Sequence, residues 1–240
     1  MSLSFAAAAT TRIRLMTYLL VSGYRNPYLA AKSAASLDVL SGGRFTLGAV
    51  PGYLRSEFSA LGADFDRRGP LLDEAISAWK ATWAGVDHAG PAFGVRGHIA
   101  LPPPMSVNGP PIWIGGNGAA AQRRVVEVAD GWMPMAASGE LAAITGMRAL
   151  NDLATLRDWV TTVNDRRADA GRAPADVSFV PFEAELLVTG DRAAFCAAVE
   201  SRLAAYADAG VTWLTVEPVS RNFADFCTDV KVLASRLIRR

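Results

Sequence analysis

The chain has 240 residues, of which 51% are hydrophobic and 20% charged, so it is long enough to bury a sizeable core and lacks the composition of a disordered protein. Its 24 Lys and Arg residues nearly balance 23 Asp and Glu residues, which gives no electrostatic reason to expect nucleic acid or a membrane surface as partner, and favours a small molecule. Two cysteines without metal-ligand spacing, no signal-peptide pattern and no apolar run of about 18 residues predict a cytoplasmic protein without a structural metal.

The first half of the chain is predicted to alternate strands with helices. Pro27 opens a helix that runs to Leu40, because Pro is favoured in a first turn and Gly42-Gly43 follow as a stop signal. The connection from Gly85 to Pro111 is rich in Gly and Pro, and we interpret it as an excursion over a ligand face. The other predicted elements here are strands at 12–18 and 44–50 and helices at about 52–61 and 67–83.

The second half continues the alternation. The predicted strands are 111–115, 131–135, 177–188 and 211–218, and the predicted helices are 118–129, about 149–170, about 191–208 and about 223–239. Six strands, each followed by a helix, indicate an α/β fold with a parallel sheet, either closed as a barrel or open and doubly wound. One domain spanning residues 1–240 is the simplest organisation.

The stretch PPIWIGGNGAAAQRR, residues 110–124, places three glycines where a strand gives way to a helix. Glycine lets another molecule approach the backbone N–H groups closely, and those groups lie at the positive end of the helix. The stretch is therefore either an anion-binding turn or a tight turn without a ligand. Arg123 and Arg124 lie further into the helix, and we interpret them as surface or dimer salt-bridge residues.

Several motifs recur in an order typical of one family. They are RIRL followed by Thr17, RNP at 25–27, LDxLSGGR at 37–44, F-x-x-RG-x-x-LDE at 65–74, and PPIWIGG followed by ADGWMP. Over residues 6–220 the chain resembles the bacterial luciferase-like monooxygenases, including their branch that uses the deazaflavin F420. The resemblance implies a (β/α)₈ TIM barrel, F420 or FMN at the carboxyl ends of the strands, and hydride transfer or oxygen activation at the flavin ring.

The resemblance also implies cofactor-binding residues. Gly115, Gly116, Asn117 and Gly118 form the implied phosphate seat. Thr17 matches a position against the flavin ring, and Gly52 matches a small-residue turn in which Pro51 departs from the pattern, because proline has no N–H to offer the pyrimidine edge. Ser56 matches a position that reaches the ring's polar edge in F420 users, or else lies on a helix surface.

Family barrels begin two strand-helix units earlier, so six of eight units are expected here and roughly 50–60 residues are absent at about 25–30 residues per unit. The start resembles the second helix of the barrel. An internal Met of a longer gene, a truncated relative that dimerises to cover its sheet edges, and a decaying fragment are three explanations. Both the resemblance and the open edge favour a homodimer.

No catalytic residue is assigned. Glu217, at the end of the last predicted strand, and Glu183 and Glu185, on one side of strand 177–188, are either acid-base candidates or partners of structural arginines. We interpret His88 and His98 as exposed loop histidines, and Trp113 and Trp132 as packing residues.

Three functions stay open. The first is an F420-dependent oxidoreductase, with FMN as the alternative cofactor; a composition rich in Ala and Arg, compatible with a high-GC actinobacterial gene, favours F420. The second is a non-catalytic truncated member that binds cofactor weakly or dimerises. The third is a barrel that binds a phosphorylated metabolite without a flavin. The substrate contacts are expected in the loops Gly85 to Pro111 and Ala136 to Gly146.

Overall fold

The computed structural model describes residues 2–97, 100–188, 190–218 and 222–238. The chain forms two compact units, Met1–Gly131 and Trp132–Arg240.

The first unit consists of short parallel strands and the helices that follow them. Its helices are α1 (Ser2–Ala9), α2 (Pro27–Ser41), α3 (Arg55–Ala60), α4 (Arg68–Ala84) and α5 (Ala119–Glu127). Its strands are β1 (Leu15–Met16), β2 (Leu20–Val21), β3 (Phe45–Val50) and β4 (Ile112–Gly115), and a 3-10 turn at Ser22–Tyr24 follows β2. The predicted strand at 12–18 is therefore wrong in extent, since within it only Leu15–Met16 forms a strand and β2 lies beyond its end.

Strand β3 is the centre of the sheet in the first unit. It pairs in parallel with β1 and β2 on one side and with β4 on the other. Its side chains from Phe45 to Ala49 are all buried, as expected for a strand covered on both faces. Helix α2 packs on β3 and α4, and α1 packs on α2. One face of α4 is buried and apolar, because Leu72, Ile76 and Trp79 are at most 1% exposed.

Caps and one long side chain fix the ends of these elements. Asn26 caps α2 by accepting the N–H of Tyr28, and Pro27 occupies the first turn as predicted. The guanidinium of Arg44 donates to the backbone oxygens of Ala7, Thr10 and Ile13. Arg44 therefore holds α1 and the segment after it beside the start of β3.

The connection between α4 and β4 contains no long regular element in its described part, as predicted, and is anchored to the helices. The carboxylate of Asp38 on α2 is fully buried and accepts the N–H and the hydroxyl of Ser106. The carboxylate of Glu74 on α4 accepts the N–H groups of Ala92 and Phe93 at 2.9 and 2.6 Å.

The second unit contains more helix than the sequence predicts. Its helices are α6 (Gly139–Thr145), α7 (Leu153–Asp169), α8 (Glu185–Val188), α9 (Arg192–Asp208) and α10 (Phe223–Leu237). Strand β5 (Gly131–Met133) begins at its boundary, and β6 (Asp176–Phe179) and β7 (Trp213–Leu214) pair in parallel. A cluster of Leu187, Phe195, Cys196, Val199 and Leu233 forms a core between α8, α9 and α10.

The predicted strand at 177–188 is wrong beyond Phe179. Pro181 follows the strand, a 3-10 turn covers Phe182–Ala184, and α8 follows directly. A proline cannot donate to a strand ladder, so the pairing ends there. Helix α6 lies in the segment that the sequence assigned to a variable loop.

Among the residues that the structure describes, no helix is both long enough and apolar enough to cross a bilayer.

Candidate cofactor site

The carboxyl ends of β2, β3 and β4 lie at one edge of the sheet. In the parallel register Val21 pairs with Val50, and Ala49 pairs with Ile114, so the strands end side by side at Val21, Val50 and Gly115. In parallel α/β folds the strand-to-helix loops converge at this edge, where ligands bind.

The turn from β4 to α5 has the backbone geometry of an anion-binding turn. Gly116 has φ +109°, a conformation that residues with a side chain rarely adopt. Asn117 is fully buried, and Gly118 caps α5 with φ −77° and ψ 163°. Gly118 offers no side chain to the N–H groups of Ala119 and Ala120 in the first turn of α5, whereas the N–H of Ala121 donates to the carbonyl oxygen of Gly118 at 3.0 Å.

Space for a ligand exists beside this cap. A Cβ built on Gly118 would have no heavy atom within 4 Å. The first turn of α5 therefore combines donor groups, a positive helix end and room for an anion. These are the requirements of a phosphate group, so the residues present fit the phosphate of a flavin-type cofactor.

Gly115 has a different role from the other two glycines. A Cβ on Gly115 would lie 2.5 Å from Cδ1 of Leu19 and 2.6 Å from Cγ1 of Val50. The three residues thus pack against one another at the strand ends. Gly115 is required by this packing whether or not a ligand binds beside it.

The structure places the other predicted cofactor residues around the ends of β2 and β3. The hydroxyl of Thr17 donates to the carbonyl oxygen of Gly48 at 2.8 Å, and a cis peptide bond joins Tyr18 to Leu19 just after it. Pro51 is half-buried directly after β3, and Ser56 is exposed in the first turn of α3. Contact of each with the cofactor stays a prediction.

Gly52 is fixed by packing. Its φ is +87°, and an added Cβ would lie 2.7 Å from Cγ1 of Val21 and 2.8 Å from Cε2 of Phe58. The turn after β3 therefore lies directly against the end of β2, and no other residue fits at this position.

The two arginines of α5 are bound within the first unit. Arg124 is only 4% exposed, and its Nε donates to Oδ1 of Asp73 at 2.6 Å. Arg123 donates to Asp73 at 2.9 Å and to Glu127 at 2.7 Å, and the hydrogen bond to Glu127 raises its pKa. The interpretation of Arg124 as a surface residue is wrong, because its guanidinium is buried against a carboxylate on α4.

Glu183 and Glu185 do not share a strand. Glu183 lies in the 3-10 turn after β6, where it pairs with Arg202 and accepts the hydroxyl of Tyr206 at 2.7 Å. Burial, and then this hydrogen bond, raise the pKa of Tyr206. Glu183 is therefore a structural ion-pair partner that holds the turn on α9, and Glu217 is exposed beyond the end of β7.

His88 is buried, so the interpretation of an exposed loop histidine is wrong for it, while His98 lies outside the described residues. Nε2 of His88 lies 3.8 Å from Oε1 of Glu74. A cavity of about 400 Å³ is lined by Asp73, Glu74 and His88 together with Pro91. Nothing in the sequence around His88 reports this burial, because Glu74 belongs to the preceding helix.

The prediction that Trp113 and Trp132 are packing residues is confirmed. Trp113 and Trp132 are 3% and 1% exposed. The N–H of Asp130 donates to the carbonyl oxygen of Ile112, and the Asp130 carboxylate accepts the N–H of Ile112 at 2.9 Å. Asp130 therefore forms the turn into β5 beside the start of β4.

Two residues at the site were missed by the sequence analysis. Leu19 packs on Gly115, and Asp73 holds both arginines of α5. Asp73 lies inside the RG-x-x-LDE motif, which was the available signal. Its partner is 51 residues further along the chain, so the contact itself could not be read from spacing.

The site defines a class of protein: a parallel α/β fold with an open glycine-rich turn, followed by a helix, at the carboxyl edge of its strands. The luciferase-like monooxygenase family model matches residues 1–225. The chain therefore belongs to the luciferase-like monooxygenase family, as the resemblance predicts.

Known relatives agree with this assignment. The FMNH₂-dependent dimethylsulfone monooxygenase of Pseudomonas putida is 30% identical over 128 residues, which is 51% of this chain and 35% of that protein. The chain spans less than half the length of curated relatives that it matches, between 33% and 46%.

Solved structures show the same fold. Monooxygenase RslO1 from Streptomyces bottropensis matches with a TM-score of 0.77 at 19% identity, covering 98% of this chain and 80% of that one. The F420-dependent tetrahydromethanopterin reductase from Methanopyrus kandleri matches with a TM-score of 0.61 at 16% identity, covering 98% and 78%. The predicted TIM-barrel-like α/β fold is confirmed by these likenesses, and an incomplete set of strands fits them.

Proposed function

We propose that the chain binds a flavin-type cofactor, F420 or alternatively FMN, with its phosphate at the first turn of α5. The observation that carries the proposal is Gly118, a helix cap without a side chain and with open space at its Cβ position. A phosphate there accepts hydrogen bonds from the first N–H groups of α5 and lies at the positive end of the helix.

The ring of the cofactor belongs beside the ends of β2 and β3 in this proposal. Leu19 and Val50 pack together next to Gly115 and provide an apolar surface at the strand ends. The family supports redox chemistry on a small organic substrate, for which the bound cofactor supplies hydride transfer or oxygen activation. The chain's own residues bind the phosphate, orient the ring and exclude water.

Composition and relatives bear on the choice between the two cofactors. The Ala- and Arg-rich composition favours F420. The relatives and structural neighbours include a protein named for FMNH₂ and proteins named for F420. F420 is therefore proposed first and FMN second.

The proposal is tested by titrating the purified chain with F420 and, separately, with FMN. Binding is monitored by the fluorescence and absorbance of the cofactor. Saturable micromolar binding of one of them is the expected result, and it chooses the cofactor. A folded chain that binds neither overturns the proposal and favours a non-catalytic member of the family. A chain that binds phosphate esters but no flavin favours a metabolite-binding function.

The oligomeric state is a separate proposal. We propose a homodimer, on the basis of the family resemblance, with a small molecule as substrate. Sedimentation velocity tests the dimer, and a monomer at micromolar concentration overturns it.

A further inference from the structure

The RG-x-x-LDE motif lies in the first part of α4 and has no part in the function proposed above. We propose that Asp73 of this motif is a positioning residue for the phosphate seat: with Arg124 it fixes α5, and so fixes the N–H groups at the start of that helix. The inference rests on the proposed function, since it concerns the same seat.

The contacts between α4 and α5 form one connected network. Nε and Nη2 of Arg124 donate to the two carboxylate oxygens of Asp73 at 2.6 and 3.2 Å, so the pair is bidentate. Nη2 also donates to the carbonyl oxygen of Gly69 at 3.1 Å. The Asp and the Gly of the motif therefore hold the same guanidinium from two successive turns of α4.

Burial makes this guanidinium dependent on Asp73. Arg124 is 4% exposed, whereas the side chain of Asp73 is 36% exposed. A buried charge that loses its partner is strongly unfavourable, and the surrounding structure moves to relieve it. Since Arg124 belongs to α5, the helix itself has to shift or tilt if Asp73 is neutralised.

Asp73 also determines which charges surround the seat. It pairs with Arg123 as well, and Arg123 pairs with Glu127. Both arginines of α5 are thus neutralised within the first unit. The contribution of α5 to phosphate binding therefore comes from its backbone N–H groups. The strength of the hydrogen bonds that they donate depends on their position to within a fraction of an ångström.

The variant Asp73→Asn separates positioning from plain electrostatics. It removes a negative charge, so electrostatics alone predicts tighter binding of a phosphate. Positioning predicts the opposite: FMN binding weakens about tenfold, a coupling of typical size. Riboflavin, which has the same ring without the phosphate, changes by less than about twofold.

Two further variants complete the test. Glu127→Gln is the matched control, because it breaks an ion pair on the same helix at an exposed position, and it is expected to leave both affinities unchanged. Arg124→Lys keeps the charge but loses the bidentate geometry, and it is expected to weaken FMN and spare riboflavin even if Asp73→Asn does not fold.

Hydrogen exchange of the protein without cofactor gives an independent readout. The N–H groups of residues 118–121 are expected to exchange faster in Asp73→Asn and Arg124→Lys, but not in Glu127→Gln. Unchanged exchange together with unchanged or tighter FMN binding overturns the inference, and so does an equal loss of FMN and riboflavin.

The two proposals fail differently. If the wild-type chain binds neither flavin nor F420, the proposed function is wrong, and exchange at residues 118–121 still decides whether Asp73 positions α5. If the wild type binds F420 only, the comparison is made with F420 and its phosphate-free deazaflavin chromophore.

Discussion

Replacing Gly118 by Asp is expected to stabilise the fold and to weaken phosphate binding. Gly118 has the extended backbone of a helix cap, and a Cβ there would have no heavy atom within 4 Å. Asp is a favoured cap, since its carboxylate accepts the free N–H groups of the first turn. The same carboxylate occupies the proposed phosphate seat and carries the same sign of charge as the ligand.

The two effects have opposite signs and different sizes. The cap and the helix dipole together stabilise the fold by about 0.5–1 kcal/mol, which raises Tm by about 1–4 °C in a chain of this length. Two like charges about 4 Å apart near a protein surface repel by roughly 2–4 kcal/mol, which weakens phosphate binding about 30- to 1,000-fold.

Thermal unfolding and a fluorescence titration with the bound cofactor measure the two effects. Gly118→Asn is the matched control, since it supplies a cap of the same shape without the charge and is expected to lose less affinity. A Gly118→Asp protein that is more stable and binds the phosphate-bearing cofactor as tightly as wild type would refute the location of the phosphate at α5.

The remaining predictions concern the fold. Gly131→Ala places a Cβ 2.5 Å from the buried ring of Trp113, so urea denaturation is expected to show a loss of about 1–3 kcal/mol; unchanged stability would contradict the packing. Phe195→Ala empties the centre of the second unit's core and is expected to cost about 3–5 kcal/mol, measured in the same way, whereas a loss below about 1 kcal/mol would contradict that burial. Asp152 is the N-cap of α7, and the hydrogen bond from the N–H of Thr155 lowers the pKa of its carboxylate below 3.8. The charged carboxylate therefore stabilises the fold at neutral pH. This contribution is lost as the pH falls through the lowered pKa. Asp152→Asn is therefore expected to be less stable than wild type at pH 7 and to approach it below pH 3.8; a gap that widens in acid would contradict this sign.

The alternating strand and helix patterns, together with the Pro and Gly residues at element ends, predict most elements of the first unit. The helix that begins at Pro27 and the strand that ends at Val50 form where local signals place them. The strand predicted at 177–188 is wrong for a local reason. Their apolar pattern fits a strand, but Pro181 ends the ladder, and Glu183 is held by Arg202 and Tyr206 on a helix that comes later in the chain.

The glycines of the seat and the buried side chains around it differ in how far sequence can predict them. Gly116 and Gly118 are recognisable because a positive φ and a close approach to a helix end need glycine. Arg124 and His88 look like surface residues, because charged and titratable side chains are mostly exposed. Their burial depends on Asp73 and Glu74, which only the folded chain brings near.

The anchors of the connection between α4 and β4 bear on how the protein can change over evolutionary time. The helices supply carboxylates, from Asp38 and Glu74, and the connection supplies chiefly backbone N–H groups, at Ala92, Phe93 and Ser106. Any residue except proline offers that donor. Substitutions at Ala92 and Phe93 can therefore accumulate without loosening these anchors, so the surface that this part of the connection presents can change while the sheet stays as it is.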